Sequence, residues 1–315
     1  MRLIAAFLRL VRLPNLFFIF LTQFLFYYCI LMPVLRNVSV KASINQLQFF
    51  LLTLSSVLIA AAGYIINDYF DVDIDQVNKP KKNVVDLIVS RRWAILWHFM
   101  LSSAGIVLSL YVSWKTGLWY IVIANLGCVF LLFGYSISLK QKLLSGNVAI
   151  SLLTAWVVLV FCLSEFRLSL GAASNFELLR AQNQIMKLGF LYAGFAFVAT
   201  LIREAIKDME DVRGDERYGC RTMPVVWGIP ATKIYVAVWL TVLLAVLVII
   251  QVYIVRFHWW WPIVYSICLI ILPLIYILYR LFKASTQPDF HSLSNLNKGI
   301  MLGGILSMGF FYFYL

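Results

Sequence analysis

The sequence predicts an all-α fold, a polytopic membrane bundle of about nine transmembrane helices in a single domain over residues 1–315. Three observations predict it: the composition, the apolar runs, and the distribution of lysine and arginine. Hydrophobic residues make up 63% of the chain and charged residues 13%, whereas a soluble domain carries about 25% charged residues. So few charges cannot cover a water-facing surface, and the mean hydropathy of +0.89 agrees. Soluble, disordered and collagen-like classes are therefore excluded.

The apolar runs give the elements in order, because a bilayer span needs about 20 mostly apolar residues. Nine runs qualify, at residues 14–35, 47–66, 93–113, 117–138, 148–164, 185–202, 232–255, 261–279 and 299–315. The fifth run is short and the fourth closely follows the third, so the count is open by one. The first run is too long for the apolar part of a cleaved signal peptide, and the small residues of a cleavage site do not follow it.

Lysine and arginine indicate the orientation. With the N-terminus inside, 19 of these residues fall in the inner segments and 7 in the outer ones. This bias is typical of nine spans with a cytoplasmic N-terminus. We expect an integral protein of the bacterial inner membrane. The net charge of +12 reflects the membrane topology and does not indicate nucleic-acid binding. The membrane lipids are its expected surroundings, and no obligate protein partner is inferred.

The carboxylates are concentrated in two short segments that each follow a predicted span. Residues 68–86 and 204–216 hold 11 of the 14 Asp and Glu residues. Two triplets share a spacing of three and then four residues: Asp68, Asp71 and Asp75, and Asp208, Asp211 and Asp215. If the spans continue as helices, each triplet lies on one helix face. Asp73, Glu210 and Glu216 fall off these faces, and we expect them to be solvated or paired locally.

Three like charges on one helix face repel, so a counter-charge is required. Mg²⁺ is the natural candidate, since it binds one or two carboxylates together with waters and phosphate oxygens. Two facing acidic patches could hold two ions and one diphosphate. Basic neighbours would supply further counter-charge: Lys79, Lys140, Arg203, Lys207 and Arg213. The alternative is that both segments are solvated loops.

Several stretches resemble motifs of the UbiA-type intramembrane prenyltransferases. The stretch NDYFDVDIDQVNKP at 67–80 resembles their first aspartate-rich motif, and DMEDVRGD at 208–215 resembles their second. Shorter stretches also fit: RTMPVVWG at 221–228, YSISLK at 135–140 with GN at 146–147, and RLPN at 12–15. The sequence departs from the pattern after NKP, where Lys82 and Asn83 replace an arginine and a proline. The resemblance covers essentially the whole chain.

The resemblance implies a nine-helix bundle around a central cavity and a prenyltransferase that needs Mg²⁺. Its first and second motifs map the metal ligands onto Asn67, Asp68, Asp71, Asp75, Asp208, Asp211 and Asp215. The expected catalytic residues are Asp71, Asp211 and Lys140. The residues expected to contact the diphosphate or line the cavity are Arg12, Asn15, Lys79, Tyr135, Lys140, Arg203, Lys207 and Arg213.

The resemblance favours transfer of a prenyl group from an allylic diphosphate, geranylgeranyl diphosphate, to a lipid acceptor such as geranylgeranylglyceryl phosphate. Basic residues suit an acceptor that carries a phosphate, although they equally satisfy the topology rule: Lys81, Lys82, Arg91, Arg92 and Lys142. One alternative is an aromatic acceptor of quinone-type biosynthesis, namely 4-hydroxybenzoate, homogentisate or dihydroxynaphthoate. A cation-coupled secondary transporter is the alternative from another class, but its carboxylates usually lie near the bilayer midplane.

Overall fold

The computed structural model describes residues 7–78, 90–166 and 176–315, and of residues 73–78 only the backbone. Nine long helices, numbered α1 to α9, account for most of these residues. They span Leu13–Asn37, Gln46–Asn78, Arg91–Thr116, Trp119–Ile137, Ser145–Ser164, Phe176–Arg217, Met223–Val255, Trp260–Lys283 and Gln287–Ser307. Helices α1 and α8 each contain a π-helical turn, at Phe26–Leu31 and Ile267–Ile271. No strand occurs within the described ranges, so the all-α prediction is confirmed.

Eight of the helices described, α1 to α8, are long and apolar enough to cross a membrane. The multi-pass prediction is therefore confirmed. Helix α9 has 21 residues and packs against α1, α6 and α8. The sequence predicted its span at 299–315, but the helix begins at Gln287, where Thr286 and Asp289 form a capping box. The apolar pattern missed this first half because it is polar, with Asp289, His291 and Lys298.

The helices alternate in direction, so their ends gather at two sides of the bundle. At one side, the acidic end, α2, α4, α6 and α8 end and the odd-numbered helices begin. The contacts that join the ends there are Arg12 with Asp68, Asn147 with Asp208, and Lys233 with the carbonyl oxygen of Ala284. At the opposite side, the far end, the buried Glu165 accepts hydrogen bonds from the backbone nitrogen and the hydroxyl of Ser43, each of 2.9 Å.

Besides a smaller core that packs Leu10 and Leu16 against α2 and α3, two packed cores hold the bundle together. One fills the far half between α1, α2, α5 and α6, and includes Phe26, Tyr27, Phe49, Leu52 and Phe161. The other lies between α6, α7, α8 and α9, and includes Ile202, Leu240, Leu274 and Leu293. Neither core fills the acidic half between α1, α2, α4, α5 and α6, where the site described below lies.

Glycine allows α5 and α6 to approach closely. A β-carbon at Gly189 on α6 would lie 2.2 Å from the sulfur of Cys162 on α5. No real side chain tolerates that distance without movement. The close contact sets the separation of the two helices whose acidic-end residues, Asn147 and Asp208, join at the site.

Candidate active site

A cavity of about 1110 Å³ extends from the acidic end into the bundle. Helices α1, α2, α4, α5, α6 and α9 line it, together with the connections before α5 and α7. Within the described part of the chain, α3, α7 and α8 contribute no lining residue. The charged residues lie at the acidic end, and the inner part is largely apolar, with Ile59, Leu132, Ile150 and Leu153. Such a shape suits a ligand with a charged head and an apolar tail.

The first acidic motif ends α2 and presents Asn67, Asp68 and Asp71 to the cavity. One carboxylate oxygen of Asp71 accepts a hydrogen bond of 2.6 Å from the side-chain amide of Asn67. The other lies 2.5 Å from the Nζ of Lys140. Lys140 sits on the 3₁₀ turn Leu139–Gln141 that follows α4. Only 10% of the Lys140 side chain and 19% of the Asp71 side chain are exposed, so the ion pair is weakly screened by water.

Arg12 reaches the same motif from α1. Its backbone adopts the left-handed conformation, with φ 53° and ψ 55°, which is unfavourable for a residue with a side chain. The guanidinium Nη2 lies 2.6 Å from Asp68 and the group stacks 5.1 Å above the ring of Tyr64. This left-handed turn therefore directs the guanidinium of Arg12 toward the cavity wall.

The second acidic motif ends α6, and Asp208, Asp211 and Asp215 all line the cavity. The side-chain amide of Asn147, at the start of α5, donates a 2.9 Å hydrogen bond to Asp208. The hydroxyl of Thr222 donates a 3.1 Å bond to Asp215. The two acidic rows thus reach one cavity from two helices that are far apart in the sequence.

A thiol also lines this part of the cavity. Burial, with Asp215 beside it, raises the pKa of Cys220 to about 11. The shift favours the neutral thiol over the thiolate, which is the nucleophilic form.

The structure brings most of the predicted site residues to the cavity, but not all of them. Arg213 is exposed and does not line it. It follows Asp211 by two residues, which turns it about 200° around the helix. The side chain of Asp75 and all of Lys79 lie outside the described residues.

Of the acidic residues predicted to point away from the two acidic faces, those with described side chains do not line the cavity. Glu210 pairs with His291 on α9, with a 2.8 Å contact to the Nδ1 atom. Glu216 is exposed. Asp73 has no described side chain. Three basic residues that were considered for the acceptor, Arg91, Arg92 and Lys142, are exposed and do not line the cavity, and Lys81 and Lys82 lie outside the described ranges.

Sequence reasoning missed several polar residues of the cavity. Glu204 lies one turn before Asp208 and contacts Arg203 at 2.8 Å and Lys207 at 3.1 Å. Its spacing of four residues from Asp208 was a usable signal. Lys298 on α9 donates a 2.7 Å hydrogen bond to Asn15 on α1. No local pattern marks that contact, because the two residues meet only in the folded bundle.

Charge is distributed unevenly around the cavity. Asp71, Asp208, Asp211 and Asp215 line one part together with Lys140, so this part carries excess negative charge. In the other part, five cations accompany two carboxylates: Arg9, Arg12, Arg203, Lys207 and Lys298 with Asp68 and Glu204. We call the first part the carboxylate subsite and the second the cationic subsite. One favours metal ions and the other favours an anion.

The residues of the carboxylate subsite fit Mg²⁺. Carboxylate and amide oxygens are the donors that this ion prefers, and the amide oxygen of Asn67 is buried without a hydrogen-bond partner. Among the residues described, no group of three Asp, Glu, His or Cys residues is close enough to hold a metal ion alone. Mg²⁺ would complete its coordination here with waters and substrate phosphate oxygens.

Comparison with known proteins gives the family. The profile of the UbiA prenyltransferase family matches residues 24–299. The chain belongs to the UbiA prenyltransferase family. It is therefore an integral, multi-pass membrane enzyme that transfers prenyl groups, and the predicted family resemblance is confirmed.

Similar UbiA proteins come from archaea. A digeranylgeranylglyceryl phosphate synthase of Methanosphaera stadtmanae is 28% identical over 246 residues, which cover 78% of this chain and 80% of that protein. A solved structure of a digeranylgeranylglyceryl phosphate synthase shares 21% identity, with a TM-score of 0.65 over 100% of both chains. The structure of a UbiA homologue from Archaeoglobus fulgidus bound to GPP and Mg²⁺ shares 15% identity, with a TM-score of 0.58 over 96% of this chain and 99% of that chain. These structures share the UbiA fold.

Proposed function

We propose that this UbiA enzyme transfers a geranylgeranyl group from geranylgeranyl diphosphate to geranylgeranylglyceryl phosphate, with Mg²⁺ assisting the departure of diphosphate. The observation that carries the proposal is the division of one cavity into a carboxylate subsite and a cationic subsite. This reaction has two anionic reactants, a diphosphate and a phosphomonoester. The similarity to the digeranylgeranylglyceryl phosphate synthase of Methanosphaera stadtmanae supports the same pair.

The carboxylate subsite would hold the metal through Asn67 and Asp71 from α2 and through Asp208, Asp211 and Asp215 from α6. Asp68, which pairs with Arg12 of the cationic subsite and also neighbours Asp71 and Lys140, belongs to the same proposed ligand set, as does Asp75. When bound, Mg²⁺ neutralises the negative charge that grows on the leaving diphosphate. The complex of a UbiA homologue with GPP and Mg²⁺ supports this arrangement.

Lys140 is the cation placed to meet the diphosphate directly. Its ammonium contacts Asp71 at 2.5 Å, and a phosphate oxygen is an equivalent acceptor for the same donor. On donor binding, Lys140 would exchange that carboxylate for a phosphate oxygen of the diphosphate. The ion pair therefore holds both side chains in position before the substrates bind.

The chemical step breaks the bond between the first prenyl carbon and the diphosphate oxygen, and the bonding electrons leave with the diphosphate. The carbon bonds to the hydroxyl oxygen of the acceptor, and the hydroxyl proton passes to the departing diphosphate. Tyr135 lines the cavity, and its aromatic ring would stabilise the allylic cation. The apolar inner part holds the prenyl tail and excludes water, the competing nucleophile.

The cationic subsite would hold the phosphate of the acceptor. Arg12, Arg203 and Lys298 line it, and the Nε of Arg203 is buried without a hydrogen-bond partner. These residues replace the exposed Arg91, Arg92 and Lys142 as the basic groups that favour a phosphorylated acceptor. Asn15, which accepts from Lys298, fixes the lysine against α1.

We further propose that residues 1–315 form one domain with the acidic end and the N-terminus in the cytoplasm. The lysine and arginine bias supports this orientation. We assign the protein to a bacterial inner membrane on the same bias. Donor and acceptor would then enter from the cytoplasmic half of the bilayer.

The acceptor is tested by competition. The purified enzyme receives Mg²⁺, geranylgeranyl diphosphate and equal amounts of geranylgeranylglyceryl phosphate, 4-hydroxybenzoate, homogentisate and dihydroxynaphthoate, and products are identified by mass. We expect the diether phosphate. A prenylated ring in its place would overturn the acceptor and leave the metal site standing. Ion-coupled flux without diphosphate release would instead favour the transporter.

A further inference from the structure

The cavity ends at a defined depth in the bundle. On α2 its lining runs from Asp71 inward to Ser56, a distance of about 22 Å along the helix axis. The innermost lining residues on neighbouring helices are Ile19 on α1, Asn125 on α4 and Val157 on α5. A prenyl tail whose diphosphate lies at the carboxylate subsite would point toward this layer.

A buried glutamine closes the layer from the far side. Gln23 lies one turn beyond Ile19 on α1 and is fully buried. Its amide nitrogen donates to the hydroxyl of Ser56 at 3.0 Å and to the carbonyl oxygen of Val157 at 3.2 Å. These bonds tie α1, α2 and α5 together at the point where the cavity stops.

Behind Gln23 the bundle is filled by aromatic side chains. Tyr27 stacks on Phe49 with ring centroids 4.4 Å apart, and Phe49 contacts Phe161 at 5.1 Å. Phe49 and Phe161 are fully buried. The tail has no space to extend past the glutamine.

Trp156 on α5 also lines the cavity at this depth. Its Nε1 donates to the side-chain oxygen of Asn125 at 2.8 Å, and the amide nitrogen of Asn125 donates to Ser109 at 2.9 Å. Asn125 and Ser109 are buried. This chain of hydrogen bonds from α5 through α4 to α3 holds the indole in one orientation and prevents it from turning aside.

We infer that Trp156 is a specificity-determining residue that sets the longest prenyl chain the donor carries. The inference rests on the proposed function, since it concerns the tail of the same donor. Prenyl tails that end before this innermost layer of lining residues fit the cavity. A tail one isoprene unit longer must displace the indole and break its bond to Asn125. Removing the indole frees more heavy-atom space than one isoprene unit occupies.

The test is the competition of two donors in one reaction with Trp156→Ala. Geranylgeranyl diphosphate and the diphosphate one isoprene unit longer are supplied at equal concentration, and the ratio of products is measured by mass. We expect the ratio to shift toward the longer donor by at least about tenfold, as for other pocket changes of this size. The ratio does not depend on how much of the enzyme is folded.

Two control variants distinguish the effect of removing the indole volume from a general loss of structure. Trp156→Phe keeps an aromatic wall and should keep a ratio near that of wild type. Trp114→Ala removes an indole that is 63% exposed on α3 and does not line the cavity, so its ratio should not change.

An unchanged ratio in an active Trp156→Ala enzyme would overturn the inference. If that variant is inactive, Trp156→Leu and Asn125→Leu take its place, and unchanged ratios in both would overturn it equally. Failure of the proposed function is a separate result, seen as the absence of any wild-type transfer to the glycerol phosphate acceptor. The donor ratio is then measured on the acceptor that does react.

Discussion

At the scale of single residues, Asp71 and Lys140 form a largely buried ion pair at the cavity, which we propose meets the diphosphate. The lysine contacts one oxygen of Asp71 while Asn67 donates to the other. Because both members of the ion pair are largely buried, removing one leaves an uncompensated charge. Loss of Lys140 and loss of Asp71 should therefore affect donor binding and metal binding differently.

Lys140→Met should weaken donor binding and strengthen metal binding. Loss of a charged hydrogen bond costs about 1.5–3 kcal/mol, so the KM for the prenyl diphosphate should rise about tenfold or more. The Mg²⁺ concentration at half-maximal rate should fall, because Asp71 loses its competing cation. Steady-state kinetics in both variables measure this.

Lys142→Met is the matched control, since Lys142 is exposed and does not line the cavity. It should leave both constants near those of the wild type. A donor KM unchanged in Lys140→Met would remove this lysine from the diphosphate site.

Residue positions were predictable from sequence where they follow helix periodicity and unpredictable where they depend on tertiary contacts. The spacing of Asp208, Asp211 and Asp215 places all three at the cavity, and the same periodicity explains why Arg213 points away. The contact between Asn15 and Lys298 has no local signal, since it joins α1 to α9.

At the scale of helices, the approach of α5 to α6 depends on Gly189. An alanine there would place its β-carbon 2.2 Å from the sulfur of Cys162. Such overpacking destabilises by about 1–3 kcal/mol. We expect Gly189→Ala to lower the midpoint of thermal unfolding in detergent and the rate of transfer, because Asn147 and Asp208 would separate.

Gly194 on the same helix supplies the control, because a β-carbon there meets nothing within 4 Å. Gly194→Ala should leave stability unchanged or raise it by up to about 1 kcal/mol. Adding Cys162→Ala to Gly189→Ala should recover part of the lost stability. Equal midpoints for the two single variants would contradict the close approach.

Most helices were predictable from apolar runs, but their ends were not. The run at 185–202 extends to Phe176–Arg217 because polar residues continue the helix at both ends. The run at 232–255 begins at Met223, with a kink at Gly228, whose φ is 81°. Hydropathy detects the part of a helix in contact with lipid, whereas the acidic rows lie on the extensions beyond it.

At the scale of the whole molecule, the prediction concerns the orientation of the bundle. Lys41 is exposed between α1 and α2 at the far end, and Lys142 is exposed between α4 and α5 at the acidic end. In a Cys268→Ser background, which removes the exposed native cysteine, a membrane-impermeant maleimide should label Lys41→Cys in intact cells. Lys142→Cys should react only after the membrane is permeabilised. The opposite pattern would place the acidic end outside.

The central claim is that the two acidic rows act together with Mg²⁺ to release diphosphate. The most direct measurement is the Mg²⁺-dependent formation of digeranylgeranylglyceryl phosphate by the wild type, Asp71→Asn and Asp211→Asn, each checked for a native elution profile in detergent. Loss of several kcal/mol of charge stabilisation should lower the rate at least about 100-fold in both variants. Near-wild-type turnover by both variants would contradict the account.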